Sequence, residues 1–309
     1  MRECILRLVL GCLLAQHGAL SASGSDPFTL TSVAEGVYVH FGAHAALDDP
    51  GRGDSANLGV IVGETCVAVI DTGGAISTGK ALRAEIRKRF GTPVCYVINT
   101  HVHFDHVLGN AAFVESAPEF AGHHALADAI EGNREFFAET FAAELGEAGD
   151  ESMIIAPQRL VDGELELSLG GRAIILKSSV NAHSSTDLTV HDRKTNVMFT
   201  GDLLFRERLP VLDGNLKNWL AWMEASMAET YAVVVPGHGP ADTQWPESAR
   251  PQQEYLISLL RQTRKAIADG LFLEDAKAVV AREQLDGWIL TERAHRLNVS
   301  RAFRELEWE

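Results

Sequence analysis

The chain has 309 residues, of which 46% are apolar and 22% charged, and its net charge at pH 7 is −15. A chain of this length buries a full hydrophobic core, in one large domain or in two smaller ones. The acidic balance argues against nucleic acid and anionic membrane surfaces as partners, since both repel a negatively charged protein. A small-molecule substrate is therefore the expected partner. No feature of the sequence indicates an oligomeric state.

Residues 1–23 have the layout of a secretory signal peptide. Arg2 and Arg7 precede an apolar run from Leu8 to Ala15, and the small residues 21–23 follow it. The run is too short to span a bilayer as a mature helix, and no later stretch is long and apolar enough to do so. We therefore expect a periplasmic or secreted protein, with no membrane insertion after the signal is removed.

Short apolar segments predict strands and one helix in the first part of the mature chain. The strands are expected at residues 28–41 (a hairpin), 58–62, 66–70 and 94–99. Leu82, Ile86 and Phe90 recur at helical spacing, which predicts an amphipathic helix that ends before Gly91 and Pro93. A strand, a helix and a strand within about thirty residues form a β-α-β unit, so we expect parallel strands here.

The two cysteines that remain after signal removal, Cys66 and Cys95, stand at the starts of two predicted strands. Their spacing is that of core residues, which favours buried free thiols. A disulfide requires that the two strands are neighbours at the same level and that the compartment is oxidising.

The second part of the mature chain mixes predicted helices and strands and ends in helices alone. Helical patterns cover residues 123–146 and 216–227, and strands are predicted at 119–121, 160–169, 172–178, 188–191, 197–200 and 232–235. From Pro251 onward the pattern is entirely helical. His123, His124, His191 and His295 are interpreted as structural side chains, and His44 as an exposed residue of a Gly- and Asp-rich loop at 42–56.

A dense cluster of metal-binding side chains follows the predicted strand 94–99. His101, His103, Asp105 and His106 fall within six residues. Imidazole nitrogens and a carboxylate oxygen suit zinc or another borderline divalent metal. Neighbouring residues of an extended segment point to opposite sides, so we expect this cluster to divide between two adjacent ions.

Three further metal-capable side chains each follow a predicted strand. They are His183, Asp202 and His238, the last two beside glycines that let the backbone approach a ligand closely. Asp71 also follows a strand, where it either accepts a hydrogen bond from a ligand histidine or caps a turn. Arg206 and Arg208 come soon after Asp202, and they are either surface side chains or a clamp for a substrate carboxylate.

The order His-x-His-x-Asp-His, His, Gly-Asp and Gly-His-Gly resembles the metallo-β-lactamase superfamily over roughly residues 30 to 245. The resemblance implies an α/β fold, a four-layer αβ/βα sandwich, with one metal on His101, His103 and His183. It implies a second metal on Asp105, His106 and His238, with Asp202 bridging both. We therefore expect a metallo-β-lactamase-fold domain at 24–248 and a helical extension at 249–309 that packs on the same domain.

An aspartate rather than a cysteine at position 202 resembles the hydroxyacylglutathione-hydrolase branch of that superfamily. The stretches 53–57, 100–110 and 206–214 are similar to secreted SoxH-like zinc hydrolases that are associated with quinoprotein dehydrogenase relay systems. The resemblance implies two Zn²⁺ ions per chain and a metal-bridging hydroxide that attacks an ester, thioester or amide carbonyl. Asp105 and Asp202 then have catalytic roles, because they orient the hydroxide as well as bind metal.

Two other functions remain open at this point. The same fold hosts a sulfur dioxygenase, in which a single iron is held by two histidines and an aspartate, here His101, His183 and Asp202. The chain is alternatively a periplasmic metal-binding accessory protein without catalytic activity. Four intact cluster residues and His238 favour two zinc ions over one iron, and the bridging aspartate favours an enzyme over an accessory protein.

Overall fold

The computed structural model describes residues 28–146 and 150–309. The predicted signal peptide lies outside the described residues. Two β-sheets face each other, and helices cover the outer face of each sheet, which gives four layers and confirms the expected α/β sandwich. No helix in the described ranges has the length and apolar character that a membrane span requires.

The first sheet has seven strands in sequence order. It pairs antiparallel from β1 to β4 and parallel from β4 to β7. Its strands are β1 (Thr31–Ala34), β2 (Val37–His40), β3 (Leu58–Val62), β4 (Val67–Ile70), β5 (Val94–Ile98), β6 (Glu119–His123) and β7 (Arg159–Val161).

The second sheet has five strands in the order β12-β11-β10-β9-β8. All its pairs are antiparallel except β11 with β12, which run parallel. Its strands are β8 (Glu164–Ser168), β9 (Ala173–Ser178), β10 (Leu188–Asp192), β11 (Val197–Phe205) and β12 (Val233–His238). The parallel carboxyl ends of β11 and β12 therefore lie at one edge of this sheet.

Seven α-helices occur in the described chain. They are α1 (Ile76–Arg89), α2 (Phe104–Val107), α3 (Leu126–Thr140), α4 (Leu216–Met227), α5 (Arg250–Ala268), α6 (Leu273–Val279) and α7 (Thr291–Leu306). Short 3₁₀ segments lie at Arg52–Asp54, Leu108–Ser116, Glu151–Met153, Glu247–Ala249 and Arg282–Gln284.

Side-chain alternation along the strands explains the layers. In β4, Val67 and Val69 pack toward α1, whereas Ala68 and Ile70 pack into the core between the sheets. A strand that is buried on both faces reads as a continuous apolar run, as this one does. Each large aliphatic side chain that is fully buried in this way contributes about 1.5–3 kcal/mol through removal of apolar surface from water.

The C-terminal helices share one core with α4 on the outer face of the second sheet. Trp219 of α4, Tyr255 of α5 and Val299 of α7 are all fully buried in it. The Trp219 indole N–H donates to the Leu203 carbonyl at 2.9 Å, which satisfies its polar atom inside the core. These helices pack closely on the second sheet.

The structure corrects three details of the sequence-based prediction. The predicted strand 160–169 is two strands in different sheets, because the chain turns at Gly163, where φ is +79°. His123 ends β6, and α3 begins only at Leu126. β11 continues to Phe205 rather than ending at residue 200, so Asp202 lies within a strand.

Cys66 and Cys95 form a disulfide, which contradicts the favoured interpretation as free thiols. β4 and β5 are parallel neighbours, and the two Cα atoms lie 5.6 Å apart. The condition for a disulfide, adjacent strands at the same level, is thus met. The sequence did not show it because strand adjacency is a long-range property.

Candidate metal centre

The candidate metal centre lies where strands of both sheets end. After β5, His101 and His103 lie in a loop, and Asp105 and His106 lie on the short helix α2 that follows it. β11 carries Asp202, and β12 ends at His238. His183 lies in the turn between β9 and β10. Carboxyl ends of parallel strands meet at one edge, and loops there present reactive side chains on a rigid scaffold.

Two asparagines fix the shape of the histidine-rich loop. Asn99 Nδ2 donates to Asn110 Oδ1 at 3.1 Å, and Asn110 Nδ2 donates back to Asn99 Oδ1 at 2.8 Å. Both side chains are fully buried. Asn99 Nδ2 also contacts the His106 carbonyl at 3.1 Å, so this pair closes the base of the loop.

His101, His103 and His183 form the first group of metal-capable atoms. His101 Nε2 and His183 Nε2 each lie 3.0 Å from His103 Nδ1. In a tetrahedral zinc site, with Zn–N of about 2.0–2.1 Å, ligand nitrogens are about 3.3 Å apart. The spacing of the three rings therefore fits a single small cation.

The other ring nitrogens of these histidines are held by hydrogen bonds. His183 Nδ1 donates to the Val211 carbonyl at 2.7 Å, and His103 Nε2 donates to Asp213 Oδ2 at 3.1 Å. The Thr100 hydroxyl donates to Asp71 at 2.7 Å and so accepts from His101 Nδ1 at 3.1 Å. Each ring therefore presents a lone pair to the other two, an arrangement that a bound cation satisfies.

Asp105, His106 and His238 form the second group. His238 Nε2 lies 3.5 Å from Asp105 Oδ2, and His106 Nε2 lies 3.9 Å from Asp105 Oδ1. His106 Nδ1 donates to Asp71 Oδ2 at 2.8 Å, and His238 Nδ1 donates to the Ser55 carbonyl at 2.8 Å. Both histidines thus present Nε2 toward the carboxylate.

Asp202 lies between the two groups. Its Oδ1 is 3.2 Å from His106 Nε2, and its Oδ2 is 3.3 Å from His238 Nε2 and 3.6 Å from His183 Nε2. His106 Nε2 and Asp202 Oδ1 are buried without a hydrogen-bond partner of good geometry in the described chain. Buried polar atoms of this kind are costly unless an ion satisfies them, so the two clusters fit a dinuclear metal site.

The electrostatics favour the metal-binding protonation state at His183 and Asp202. Burial lowers the pKa of His183 to about 3, so this imidazole is neutral at physiological pH. Burial alone raises the pKa of Asp202, but the adjacent His238 and His106 outweigh it and hold that pKa well below its usual range. A neutral imidazole and a charged carboxylate are the forms that bind divalent cations. At His106 the carboxylates of Asp202 and Asp71 outweigh burial and hold the pKa well above its usual value, so a metal ion has to displace a proton from that ring.

Gly237 allows β12 to approach the Asp202 carboxylate. A Cβ atom at position 237 would lie 1.9 Å from Asp202 Oδ1. Real Cβ atoms do not come so close, so any side chain here displaces the carboxylate. The Gly-His pair that ends β12 is therefore explained by close packing against Asp202.

The structure brings together all seven side chains proposed as ligands, and it places Asp71 against His106. Sequence reasoning missed Asp213, Ser55 and the Val211 carbonyl as partners of these side chains. Ser55 Oγ donates to Asp105 Oδ2 at 2.9 Å. Asp213 and Val211 lie within 206–214 and Ser55 within 53–57, stretches that had already been singled out as similar to the SoxH-like hydrolases.

The remaining histidines contact groups outside the two clusters. His44 Nε2 pairs with Glu207 at 3.0 Å, and His124 pairs with Asp162. His123, His191 and His295 hydrogen-bond to the Ser179 carbonyl, the Asn196 side chain and the Tyr255 hydroxyl, respectively. Arg206 donates to the Pro240 carbonyl at 3.1 Å, so its role is in the fold of the loop after β12.

Comparison with known proteins gives one family and one group of curated relatives. Residues 51–238 match the metallo-beta-lactamase superfamily. The chain is 26% identical over 193 residues to acyl-coenzyme A thioesterase MBLAC2 of Homo sapiens, covering 56% of this chain and 64% of that protein. The Bos taurus protein of the same name is 26% identical over 199 residues, with the same coverage. The chain thus spans less than two thirds of the length of these relatives.

Solved structures with the same fold include a metallo-β-lactamase and the protein TMB-1. The enzyme from Pontibacter korlensis superposes with a TM-score of 0.60 at 18% identity, covering 74% of this chain and 98% of that one. TMB-1 superposes with a TM-score of 0.58 at 16% identity, covering 74% of this chain and 96% of that one. At these identities the likeness concerns the fold.

Proposed function

Since the chain belongs to the metallo-β-lactamase superfamily, we propose that it is a dinuclear zinc hydrolase that cleaves an ester, thioester or amide bond of a small substrate. The observation that carries this proposal is the position of Asp202, whose two oxygens face the two histidine groups. An all-His and carboxylate donor set suits zinc, and the three imidazoles at mutual contact distance suit its tetrahedral preference.

Each residue of the site has a definite part in the proposed reaction. His101, His103 and His183 would hold one ion, Asp105, His106 and His238 the other, and Asp202 would contact both. When bound, two such ions polarise a carbonyl oxygen and lower the pKa of a water molecule toward neutrality. Asp105 and Asp202 orient the attacking water through their carboxylate oxygens, and Asp71 and Asp213 hold the tautomers of His106 and His103.

A thioester is the first bond to test. Two curated relatives are named acyl-coenzyme A thioesterases, a statement about those proteins that suggests the bond class here. The aspartate at position 202 supports the hydroxyacylglutathione-hydrolase-like and SoxH-like branch, for which thioester and ester cleavage is the corresponding expectation.

Export, and action beside a periplasmic quinoprotein dehydrogenase system, are further parts of the proposal. They rest on the signal-like residues 1–23 and on the resemblance of the stretches 53–57, 100–110 and 206–214. The Cys66–Cys95 disulfide supports export, because disulfides persist mainly in oxidising compartments.

Metal analysis of the purified chain tests the proposal against its alternative. We expect about two zinc ions per chain by mass spectrometry, as two groups of three ligands require. One iron per chain would instead support a sulfur dioxygenase on His101, His183 and Asp202. Intact cellular function in His103→Ala would support the non-catalytic accessory protein, whereas loss of function there, with none in the exposed His124→Ala, supports the enzyme.

Turnover by an Asp105 variant tests the mechanism. We expect Asp105→Ala to abolish hydrolysis of thioesters, lactones and β-lactams while the chain still folds. Asp286→Ala is the matched control, because Asp286 is an exposed aspartate outside the set of proposed ligands. This variant should retain wild-type turnover. Retained activity in Asp105→Ala would remove this carboxylate from the mechanism.

A further inference from the structure

A cavity of about 480 Å³ opens directly onto the candidate metal centre. Its wall includes His103, Asp105 and Asp202, so a molecule in the cavity would reach the metal-capable atoms. A cavity of this size suits a small organic molecule, and clefts of this kind usually combine apolar walls with a few convergent polar groups. The side chains that line the cavity therefore indicate which chemical groups the substrate carries.

One side of the cavity is aromatic. Phe104, Phe136, Phe137 and Phe141 line it, and the rings of Phe104 and Phe141 stack with centroids 4.2 Å apart. The Phe136 side chain is 52% exposed although it lies beside the stacked pair. An exposed ring beside a reactive centre is well placed to pack against an apolar part of a substrate.

Three arginines line the cavity as well. Arg301 already has an ion-pair partner, because its guanidinium contacts Asp213, the carboxylate that also accepts from His103. Arg208 and Arg293 have no ion-pair partner among residues 28–146 and 150–309. Arg208 Nη1 lies 3.2 Å from His238 Nδ1, which places this cation beside the metal centre.

Helix α7 supplies much of this wall. Arg293, Leu297 and Arg301 recur every four residues, so they share one face of the helix, and all three line the cavity. These residues lie outside residues 51–238, the part of the chain that matches the superfamily. The wall is therefore a feature of this chain rather than of the matched family segment.

Backbone pairing fixes α7 against the site. Ile289, just before the helix, donates to the Glu207 carbonyl at 2.9 Å and accepts from Leu209 at 3.1 Å. Within the helix, Asn298 accepts from the Leu212 N–H at 2.8 Å and donates to the Pro210 carbonyl at 2.7 Å. The cavity wall is thus held to the segment that follows β11, and its geometry is preorganised for binding.

Building on the proposed hydrolase function, we propose that α7 forms the specificity wall of the site and that the substrate joins an apolar, ring-bearing group to an anionic group. The apolar part packs against the aromatic side, and Arg208 and Arg293 hold the carboxylate, phosphate or sulfonate. Guanidinium groups bind such anions bidentately. Because the whole chain carries a charge of −15, attraction of an anion has to come from local positive charge, which Arg208 and Arg293 add to that of the proposed metal ions.

Two matched fluorescent probes test this proposal without any need for turnover. Anilinonaphthalene sulfonate and N-phenylnaphthylamine have the same ring systems, and only the first carries an anion. We expect the zinc-loaded full chain to bind the sulfonate about tenfold more tightly than the amine. Arg293→Gln should remove most of that preference and leave binding of the amine unchanged, whereas Phe136→Ser should weaken binding of both probes.

Two control variants locate the binding. Arg304→Gln removes an exposed arginine of α7 that does not line the cavity, and Phe272→Ser removes a phenylalanine that is 80% exposed and does not line it either. Both should bind the probes as the wild type does. Equal affinity of the wild type for the two probes, or wild-type binding by Arg293→Gln, would overturn the anion subsite. Wild-type binding by Phe136→Ser would overturn the aromatic side.

The outcome is separable from that of the hydrolase proposal. If the probes behave as expected but no thioester, lactone or β-lactam is cleaved, the binding wall stands and the hydrolase proposal fails. If Arg293→Gln binds and cleaves anionic and neutral thioesters as the wild type does, hydrolysis stands and the wall proposal fails.

Discussion

Asp71 Oδ2 lies 2.8 Å from His106 Nδ1, and Asp71 Oδ1 accepts the Thr100 backbone N–H, also at 2.8 Å. A single buried carboxylate thus holds both the backbone and a ring of the histidine-rich loop. The backbone of Asp71 adopts φ +58°, a conformation that asparagine tolerates well. The turn-capping and histidine-holding roles considered from the sequence are therefore both filled by one side chain.

We expect Asp71→Asn to weaken metal binding at the second group while the fold is retained. Asparagine keeps one oxygen acceptor but loses the negative charge that supports the His106 tautomer, and partners of ligand histidines are typically worth about 10–100-fold in metal affinity. Competition with a chromophoric chelator would measure the two affinities separately. Unchanged affinity for both ions would show that Asp71 serves only the backbone.

Gly237→Ala should disturb the centre through Asp202. The new methyl group would take a position 1.9 Å from Asp202 Oδ1, so the carboxylate has to move away from both histidine groups. We expect a loss of metal content and of turnover, measured by mass spectrometry and by thioester assay. Gly132→Ala is the control, since a Cβ there meets no atom within 4 Å and alanine stabilises a helix interior by about 0.5–1 kcal/mol. Full metal content in Gly237→Ala would contradict the proposed bridging role of Asp202.

The parts of the site that the sequence predicted are those encoded locally. His101, His103, Asp105 and His106 fall within six consecutive residues, and a continuous apolar run that forms a strand precedes them. Asp202 and His238 share a second local pattern, in which a predicted apolar strand is followed by a glycine and then by the metal-capable side chain. Regular periodicity likewise predicted α1 and α4, because an apolar stripe at helical spacing has to face a core.

The parts that escaped prediction depend on contacts between distant segments. His103 and Asp213 are 110 positions apart, and Ser55 and His238 are 183 apart. Apart from His238, which ends β12, the residues concerned lie in loops, where no periodic pattern predicts which side chains contact each other. The strand exchange at Gly163 and the Cys66–Cys95 pairing have the same origin, since both follow from sheet order rather than from local sequence.

The disulfide should stabilise the fold considerably. Cys66 and Cys95 are 29 positions apart, and closing a loop of this length in the unfolded chain is worth about 3–4 kcal/mol in the chain-entropy model. We expect the double variant Cys66→Ser/Cys95→Ser to lose free energy of unfolding of this order in urea denaturation. Reductant should lower the stability of the wild type alone. In a protein that starts at residue 24, and so carries only these two cysteines, two free thiols per unfolded, unreduced molecule would refute the pairing.

His295 makes the stability of the C-terminal helices sensitive to acid. It is fully buried on α7, where Nδ1 lies 3.2 Å from the Tyr255 hydroxyl, and Asn298 Nδ2 lies 2.9 Å from the same oxygen. Burial, and then the charge of Arg282, lower the pKa of His295 to about 4. The folded chain therefore resists a proton that the unfolded chain accepts at a pKa of about 6.5.

Replacement of this histidine should remove that sensitivity. Because the unfolded state binds more protons between pH 6.5 and 4, the contribution of His295 to stability is present above about pH 6.5 and is lost as the pH falls toward 4. We expect the wild type to lose up to about 3 kcal/mol relative to His295→Gln over this range, by urea denaturation at each pH. Protonation of the metal ligands destabilises both proteins equally, so it cancels in the difference. Parallel stability curves for the two proteins would mean that His295 is protonated, or reaches solvent, in the folded state.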